Sequence, residues 1–82
     1  MESPQRPNSL EGVIAGNVRA EMARKMVAQK EMAAAIGMSS SAFSDLYNGT
    51  RPFRLATLDR IADVLGVDIA VIVRGDAARG AE

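Results

Sequence analysis

Residues 29–48 of the chain read QKEMAAAIGMSSSAFSDLYN, and this stretch carries the signals of two short helices separated by a sharp turn. The helix-forming run QKEMAAAI is followed by Gly37, which lacks a Cβ and can adopt the positive φ that ends a helix. Ser39 then offers a side-chain oxygen that can cap a second helix. That helix, SSAFSDLYN, meets a further stop signal at Asn48-Gly49.

The apolar side chains of this stretch fall on one face of each predicted helix. Those expected to point inward are Met32, Ala33, Ile36, Met38, Phe43 and Leu46. Ala33 is the most informative of them, because two short helices that cross steeply need a small side chain at their contact. The stretch is therefore predicted to be a helix-turn-helix whose second helix turns its outer face to DNA.

The composition of the chain limits the other possibilities. Its 82 residues suffice for one small domain, and the lack of cysteine and histidine excludes disulfides and the usual zinc sites. No apolar run is long enough for a membrane span, and the start lacks the pattern of a signal peptide. We therefore expect a cytoplasmic protein, associated with the nucleoid through DNA, without a membrane contact, a metal, a cofactor or a small-molecule ligand.

Three segments are distinguished by the pattern of apolar residues. Residues 1–8 contain two prolines and are predicted to be a flexible N-terminal arm, 9–73 to form the helix-turn-helix domain, and 74–82 to be a disordered C-terminal tail. Asn8 and Glu11 resemble a capping box that begins the first helix. The apolar stripe of this helix is expected to contain Leu10, Val13, Ile14, Val18, Met22 and Met26.

Two further elements follow the helix-turn-helix. Pro52 keeps the loop TRPFRLA out of helical geometry, and a fourth helix, LATLDRIADVL, is expected to end at Gly66. Its inner face should carry Leu55, Leu58, Ile61, Ala62 and Leu65. Residues 67–73, VDIAVIV, suit either a short helix capped by Asp68 or a strand. This apolar run should close the core or form a subunit contact, and we expect Ile72→Asp to give monomers.

Between residues 27 and 73 the sequence resembles the helix-turn-helix domain of phage repressors, Cro proteins and their bacterial regulator relatives, without insertion or deletion. The residues that carry the resemblance are Gln29, Met32-Ala33, Ile36-Gly37-Met38, Phe43, Leu46, Asn48-Gly49, Thr57-Leu58, Ile61-Ala62 and Leu65-Gly66-Val67. The resemblance implies an all-α fold, a compact bundle of about five short helices like the DNA-binding domain of lambda repressor.

The resemblance also implies roles for individual side chains. Gln29 occupies the place of the glutamine that holds a DNA phosphate in the family, and Lys30 beside it would add a second phosphate contact. Ser39 would cap the recognition helix, residues 40–48, and touch the DNA backbone. The side chains expected to reach base edges are Ser40, Ser41, Ser44 and Asp45. Those expected to lie along the phosphates after that helix are Asn48, Thr50, Arg51 and Arg54.

The side chains expected to contact bases differ from those that many relatives carry. They include three serines, Ser40, Ser41 and Ser44, and a serine hydroxyl discriminates poorly because it can donate to or accept from several bases. Asp45 could accept from a cytosine amino group, but a carboxylate also repels phosphates, so reading a base and facing water both stay open. Many relatives also pair an arginine in the first helix with a glutamate late in the recognition helix. The aligned residues here are Met22 and Tyr47, for which we expect an apolar contact.

These observations predict a sequence-specific transcriptional regulator that binds double-stranded DNA. We expect a small repressor of phage or bacterial type, bound to a palindromic operator as a homodimer, with residues 40–48 in the major groove. The alternative is a protein-interaction module with the same fold, such as an antitoxin-type partner-binding protein. The zero formal charge and the serine-rich face favour that alternative. An enzyme is not expected, because histidine, cysteine and a phosphate-binding glycine loop are lacking.

Overall fold

Five α-helices account for most of residues 9–75, which are the residues that the computed structural model describes. The helices are α1 (Leu10–Lys25), α2 (Gln29–Ile36), α3 (Ser40–Tyr47), α4 (Leu55–Leu65) and α5 (Ile69–Arg74). The predicted all-α bundle is confirmed. The predicted arm, 1–8, lies outside the described residues, and so does the predicted tail from residue 76 onward. Helix α5 runs one residue beyond the predicted domain boundary at 73. None of the described helices is long and apolar enough to cross a membrane.

The turn between α2 and α3 has the geometry that the sequence predicts. Gly37 has φ 76° and ψ 31°, a left-handed conformation that a residue without a Cβ adopts at little cost. Its N–H donates to Ala34 O at 3.2 Å, and the N–H of Met38 donates to Ala33 O at 2.9 Å. Ser39 then caps α3, because its Oγ accepts from the N–H of Ala42 at 3.1 Å. Two carbonyl groups at the end of α2 and one N–H group at the start of α3 thus find partners within this very short connection.

The core forms where α1 packs against α3, α4 and α5, and where α2 packs against α3 and α4. Its buried apolar residues are Ile14, Val18, Met22, Met32, Ala33, Ile36, Phe43, Leu46, Leu58, Ile61, Ala62, Leu65 and Ile72. The inward positions predicted for the helix-turn-helix are all among them except Met38, which is half-buried and packs against this core. Burying a side chain as large as Phe43 or Met32 stabilises the fold by about 1.5–3 kcal/mol.

Several apolar residues predicted to be inward are instead exposed, and most of them lie at helix ends. Leu10 and Leu55 are the first residues of α1 and α4 and are 63% and 74% exposed. Met26 is 87% exposed, because it is the left-handed C-cap of α1 with φ 57°. Val13 is also exposed. The apolar stripe of α1 therefore begins at Ile14, since the other helices do not cover the first turn.

The start of α1 differs from the predicted capping box. Ser9 is the N-cap, and its Oγ accepts from the N–H of Gly12 at 3.1 Å. The predicted cap, Asn8, lies outside the described residues. Both residue types suit the position, and the helix begins one residue later than the Asn8–Glu11 spacing indicates.

Residues 67–73 lead into a helix rather than a strand. Asp68 caps α5, and its Oδ1 accepts from the N–H of Ala70 at 2.9 Å. Ile72 is fully buried among the other helices, so the expectation that Ile72→Asp would separate subunits is wrong. An aspartate there would place a charge in the core and unfold the domain.

Helix α5 is held on α1 by a polar contact at its C-terminal end. The amide Nδ2 of Asn17 donates to Ile72 O at 2.7 Å. Gly75 follows with φ 70° and ψ −150°, and a Cβ there would come within 2.8 Å of Asn17 Oδ1. Only glycine fits this position without a shift of Asn17.

Candidate DNA-binding surface

The outer side of α3 is a polar stripe of small side chains. Ser40, Ser41 and Asp45 are exposed, as is Asn48 at the C-cap, and Ser44 is half-buried. Residues three and four apart share a face of a helix, so these positions form one continuous strip. The opposite face of α3 carries Phe43 and Leu46, both buried, and the core therefore fixes which side of the helix is presented to the surroundings.

Two hydrogen bonds order the serine side of this strip. The Oγ of Ser39 accepts from the N–H of Ala42, which leaves its hydroxyl hydrogen available to donate outward. The Nδ2 of Asn48 donates to Ser44 Oγ at 3.3 Å. This hydrogen bond joins Ser44, which is predicted to contact a base, to Asn48, which is predicted to contact a phosphate.

The loop after α3 folds back onto the last turn of that helix. Gly49, with φ 77°, makes the reversal possible. The carbonyl oxygen of Asp45 then accepts from the N–H of Thr50 at 2.9 Å and from its hydroxyl at 3.1 Å. Thr50 and Arg51 are brought beside α3 as a result.

The side chains of Asp45 and Arg51 form an ion pair across this loop. The Nη2 of Arg51 donates to Asp45 Oδ2 at 3.4 Å, and each side chain is about half exposed. From the sequence, Asp45 is expected either to read a base or to face water, and Arg51 is expected to contact a phosphate. The pairing was missed because the two residues come together only through the turn at Gly49.

The N-terminal end of α2 presents the other predicted phosphate contacts. Gln29 and Lys30 are its first two residues, and both are exposed. The N-cap is Ala28, which has no side-chain acceptor, although Glu31 Oε1 accepts from the N–H of Ala28 at 3.1 Å. The first N–H groups of α2 therefore have no capping side chain, and their partial positive charge lies beside the carboxylate of Glu31 in the same turn.

The charges of this region come from outside the recognition helix. Helix α3 contains no lysine or arginine, and its one charged residue is Asp45. Lys30, Arg51 and Arg54 supply positive charge from α2 and from the loop, and exposed Arg54 is also the N-cap of α4. The exposed residues of α4 include the acidic Asp59 and Asp63 and, between them, the basic Arg60. The basic groups beside α3 thus outnumber Asp45, although the formal charge of the chain is zero.

Sequence reasoning also missed an arginine that holds the end of α3. The Nη1 of Arg19 donates to Tyr47 O at 2.6 Å, and its guanidinium carbon lies 5.7 Å from the centroid of the Tyr47 ring. Met22, aligned with the arginine of many relatives, is buried in the core, and Tyr47 packs against that core. Arg19 lies three residues earlier on α1, so a search one helical turn to either side of Met22 would have found it.

Helices α2 and α3 and the turn between them define the class of this domain. A short helix, a glycine turn and a second helix with a buried apolar face and an exposed polar face make a helix-turn-helix domain. The chain belongs to the Cro/C1-type HTH DNA-binding domain family, whose sequence profile matches residues 17–73. The match includes α2, α3 and α4 completely, and it confirms the resemblance seen in the sequence.

A solved structure has a similar fold. It is the crystal structure of a hypothetical transcription factor, NHTF, from Neisseria, with a TM-score of 0.79. The two sequences are 23% identical, and the similarity covers 99% of this chain and 92% of that one. At this identity the similarity shows the fold, and the assignment to DNA binding rests on the family. No curated protein matches the chain.

Proposed function

We propose that this DNA-binding domain is a sequence-specific transcriptional repressor that binds a two-fold operator as a homodimer in the cytoplasm. The observation that carries the proposal is the outer face of α3. It is polar and exposed, and the N-terminal end of α2 and the basic loop after α3 accompany it. In this arrangement α3 enters the major groove while the flanking groups hold the DNA backbone.

Backbone contacts come from the N-terminal end of α2 and from the loop. Gln29 and Lys30 bind one phosphate, supported by the uncapped N–H groups at the start of α2. Ser39 donates its hydroxyl hydrogen to the backbone. Asn48 and the loop residues Thr50, Arg51 and Arg54 follow the phosphates beyond the recognition helix. Such contacts set the register of the protein on the duplex and carry little sequence information.

Base contacts come from the small side chains of α3. Ser40 and Ser41 are exposed near the N-terminal end of that helix, the part that contacts base edges in helix-turn-helix proteins, and Ser44 lies one turn later. Serine hydroxyls read several bases, so each contact contributes little discrimination. A homodimer compensates for this, because two recognition helices about 34 Å apart read two half-sites at once.

A second candidate function is a protein-interaction module of the antitoxin type. The absence of lysine and arginine from α3 and the formal charge of zero favour it, since most DNA-reading helices are accompanied by a basic excess. The two functions differ in salt dependence. A DNA complex weakens steeply as salt rises, because bound cations are released from the duplex, and a module that binds an uncharged protein surface does not.

The test is selection of random duplex DNA on the purified protein, followed by gel-shift titration of the enriched sequences at two salt concentrations. The repressor proposal expects a palindromic consensus whose affinity falls steeply with salt, with half-sites separated by about one helical turn of DNA. A folded protein that enriches no sequence would contradict the proposal and favour the interaction module.

A further inference from the structure

We infer that Asp45 competes with DNA phosphate for Arg51 and thereby lowers the affinity of the domain for every duplex, instead of reading a base. The inference rests on the proposed function and assigns a role to the one acidic residue of the recognition helix.

The geometry places the carboxylate where a phosphate would otherwise bind. Asp45 Oδ2 accepts from Arg51 Nη2 at 3.4 Å, and the pair lies at the surface with each side chain about half exposed. A carboxylate and a phosphate offer a guanidinium the same kind of anionic oxygen acceptor. Arg51 is therefore already partnered before DNA arrives.

The loop makes the competition an intramolecular one. Two hydrogen bonds from Thr50 to the carbonyl oxygen of Asp45 fix the chain between the two partners. Arg51 is thus held near the carboxylate at no further cost in translational freedom, whereas a phosphate must be brought from solution. Binding to DNA exchanges one ion pair for another, and the carboxylate that is released then faces the phosphates.

The expected consequence is the same for all sequences. Phosphates are common to every duplex, so a residue that competes for a phosphate contact changes affinity without changing base preference. The exchange also reduces the salt dependence, because the freed carboxylate attracts a cation when Arg51 moves to the phosphate. A base-reading aspartate would instead act at one base pair, by accepting from cytosine.

The experiment compares the wild type with Asp45→Asn, Arg51→Gln and the double variant. Dissociation constants are measured by fluorescence anisotropy at two salt concentrations. The probes are a labelled duplex enriched by selection and a scrambled duplex of the same length. Asp63→Asn is the charge-matched control, because it removes one exposed carboxylate from α4, beside the C-terminal end of α2. Circular dichroism confirms that each variant is folded.

We expect Asp45→Asn to tighten binding to both duplexes by about two- to fivefold and to steepen the salt slope by up to about one unit. The tightening should be clearly smaller in the Arg51→Gln background, and Asp63→Asn should have little effect. An equal tightening in both backgrounds would show simple charge repulsion and overturn the inference. A loss of preference at one base pair, or weaker binding to both duplexes, would also overturn it.

The failure of the inference is distinguishable from the failure of the proposed function. If no variant and no wild-type protein binds any duplex, the proposed function fails and the inference fails with it. If the wild type binds DNA and the effects of Asp45→Asn differ from those expected above, only the inference fails.

Discussion

Ala33 shows how much one small side chain decides. It is 1% exposed and belongs to the core that α2 shares with α3 and α4. We expect Ala33→Leu to lower the free energy of unfolding by about 1–3 kcal/mol, because the added atoms have no space between the helices. Urea unfolding followed by circular dichroism measures the change. Ala35→Leu is the control, since Ala35 is on the same helix and exposed. An unchanged midpoint for Ala33→Leu would mean that the helix crossing is looser than the structure indicates.

Arg51 has a prediction of its own, made in the Asp45→Asn background so that the ion pair does not contribute. We expect Arg51→Ala in that background to weaken binding to all duplexes alike and to flatten the salt slope by about one unit, because one phosphate contact is lost. Gel-shift titrations of an enriched duplex and a scrambled duplex at several salt concentrations measure both effects. Arg51→Lys keeps the charge and should recover most of the affinity. Loss of preference at a single base pair would argue instead for a base contact.

At the scale of elements, the end of α1 stores a small conformational strain. Met26 has φ 57°, the only positive φ among the described residues other than glycine, and its side chain is largely exposed. We expect Met26→Gly to raise the free energy of unfolding by about 0.5–1 kcal/mol, because glycine adopts the left-handed conformation without a Cβ clash. Met26→Ala keeps the Cβ and should leave stability nearly unchanged. Equal stability of the glycine variant in urea unfolding would show that Met26 contributes contacts of its own.

Arg19 links two elements, α1 and the recognition helix. Its hydrogen bond to Tyr47 O and its charge at the C-terminal end of α3 both stabilise that helix. We expect Arg19→Ala to lower the free energy of unfolding by about 0.5–1.5 kcal/mol in urea unfolding. Arg19→Lys should restore part of this loss, since it keeps a positive charge near the carbonyl. An alanine variant as stable as the wild type would mean that the core alone holds α3.

The elements were predictable to the extent that their signals are local. Gly37, Ser39 and Gly66 end or cap helices through their own backbone and side-chain chemistry, so the helix boundaries they set could be read directly. The exposure of Leu10 and Leu55 could not be predicted, because helical periodicity indicates which face of a helix is apolar and does not tell where the covering helices end. The pairs formed by Arg19 and by Asp45 depend on how the chain returns in space, which spacing along the sequence does not show.

At the scale of the whole molecule, the proposed homodimer requires a surface outside the core. Val73 of α5 is exposed, unlike buried Ile72 beside it. We expect Val73→Asp to give folded monomers with operator affinity at least about tenfold weaker, because two linked half-sites no longer act together. Sedimentation measures the assembly, and circular dichroism confirms the fold. Val64→Asp, an exposed position on α4, is the control that should remain dimeric. A dimeric Val73→Asp variant would place the subunit contact elsewhere.

The uneven placement of charge has a consequence for how the molecule meets DNA. Lys30, Arg51 and Arg54 lie around α3, and α4 carries Asp59 and Asp63 with Arg60 between them, while the formal charge of the chain is zero. In the field of a polyanion such a molecule experiences little net pull, and the small excess of basic groups beside α3 gives a weak torque that turns α3 toward the duplex. The electric field of the duplex therefore orients the protein before contact more than it raises the rate at which the protein approaches.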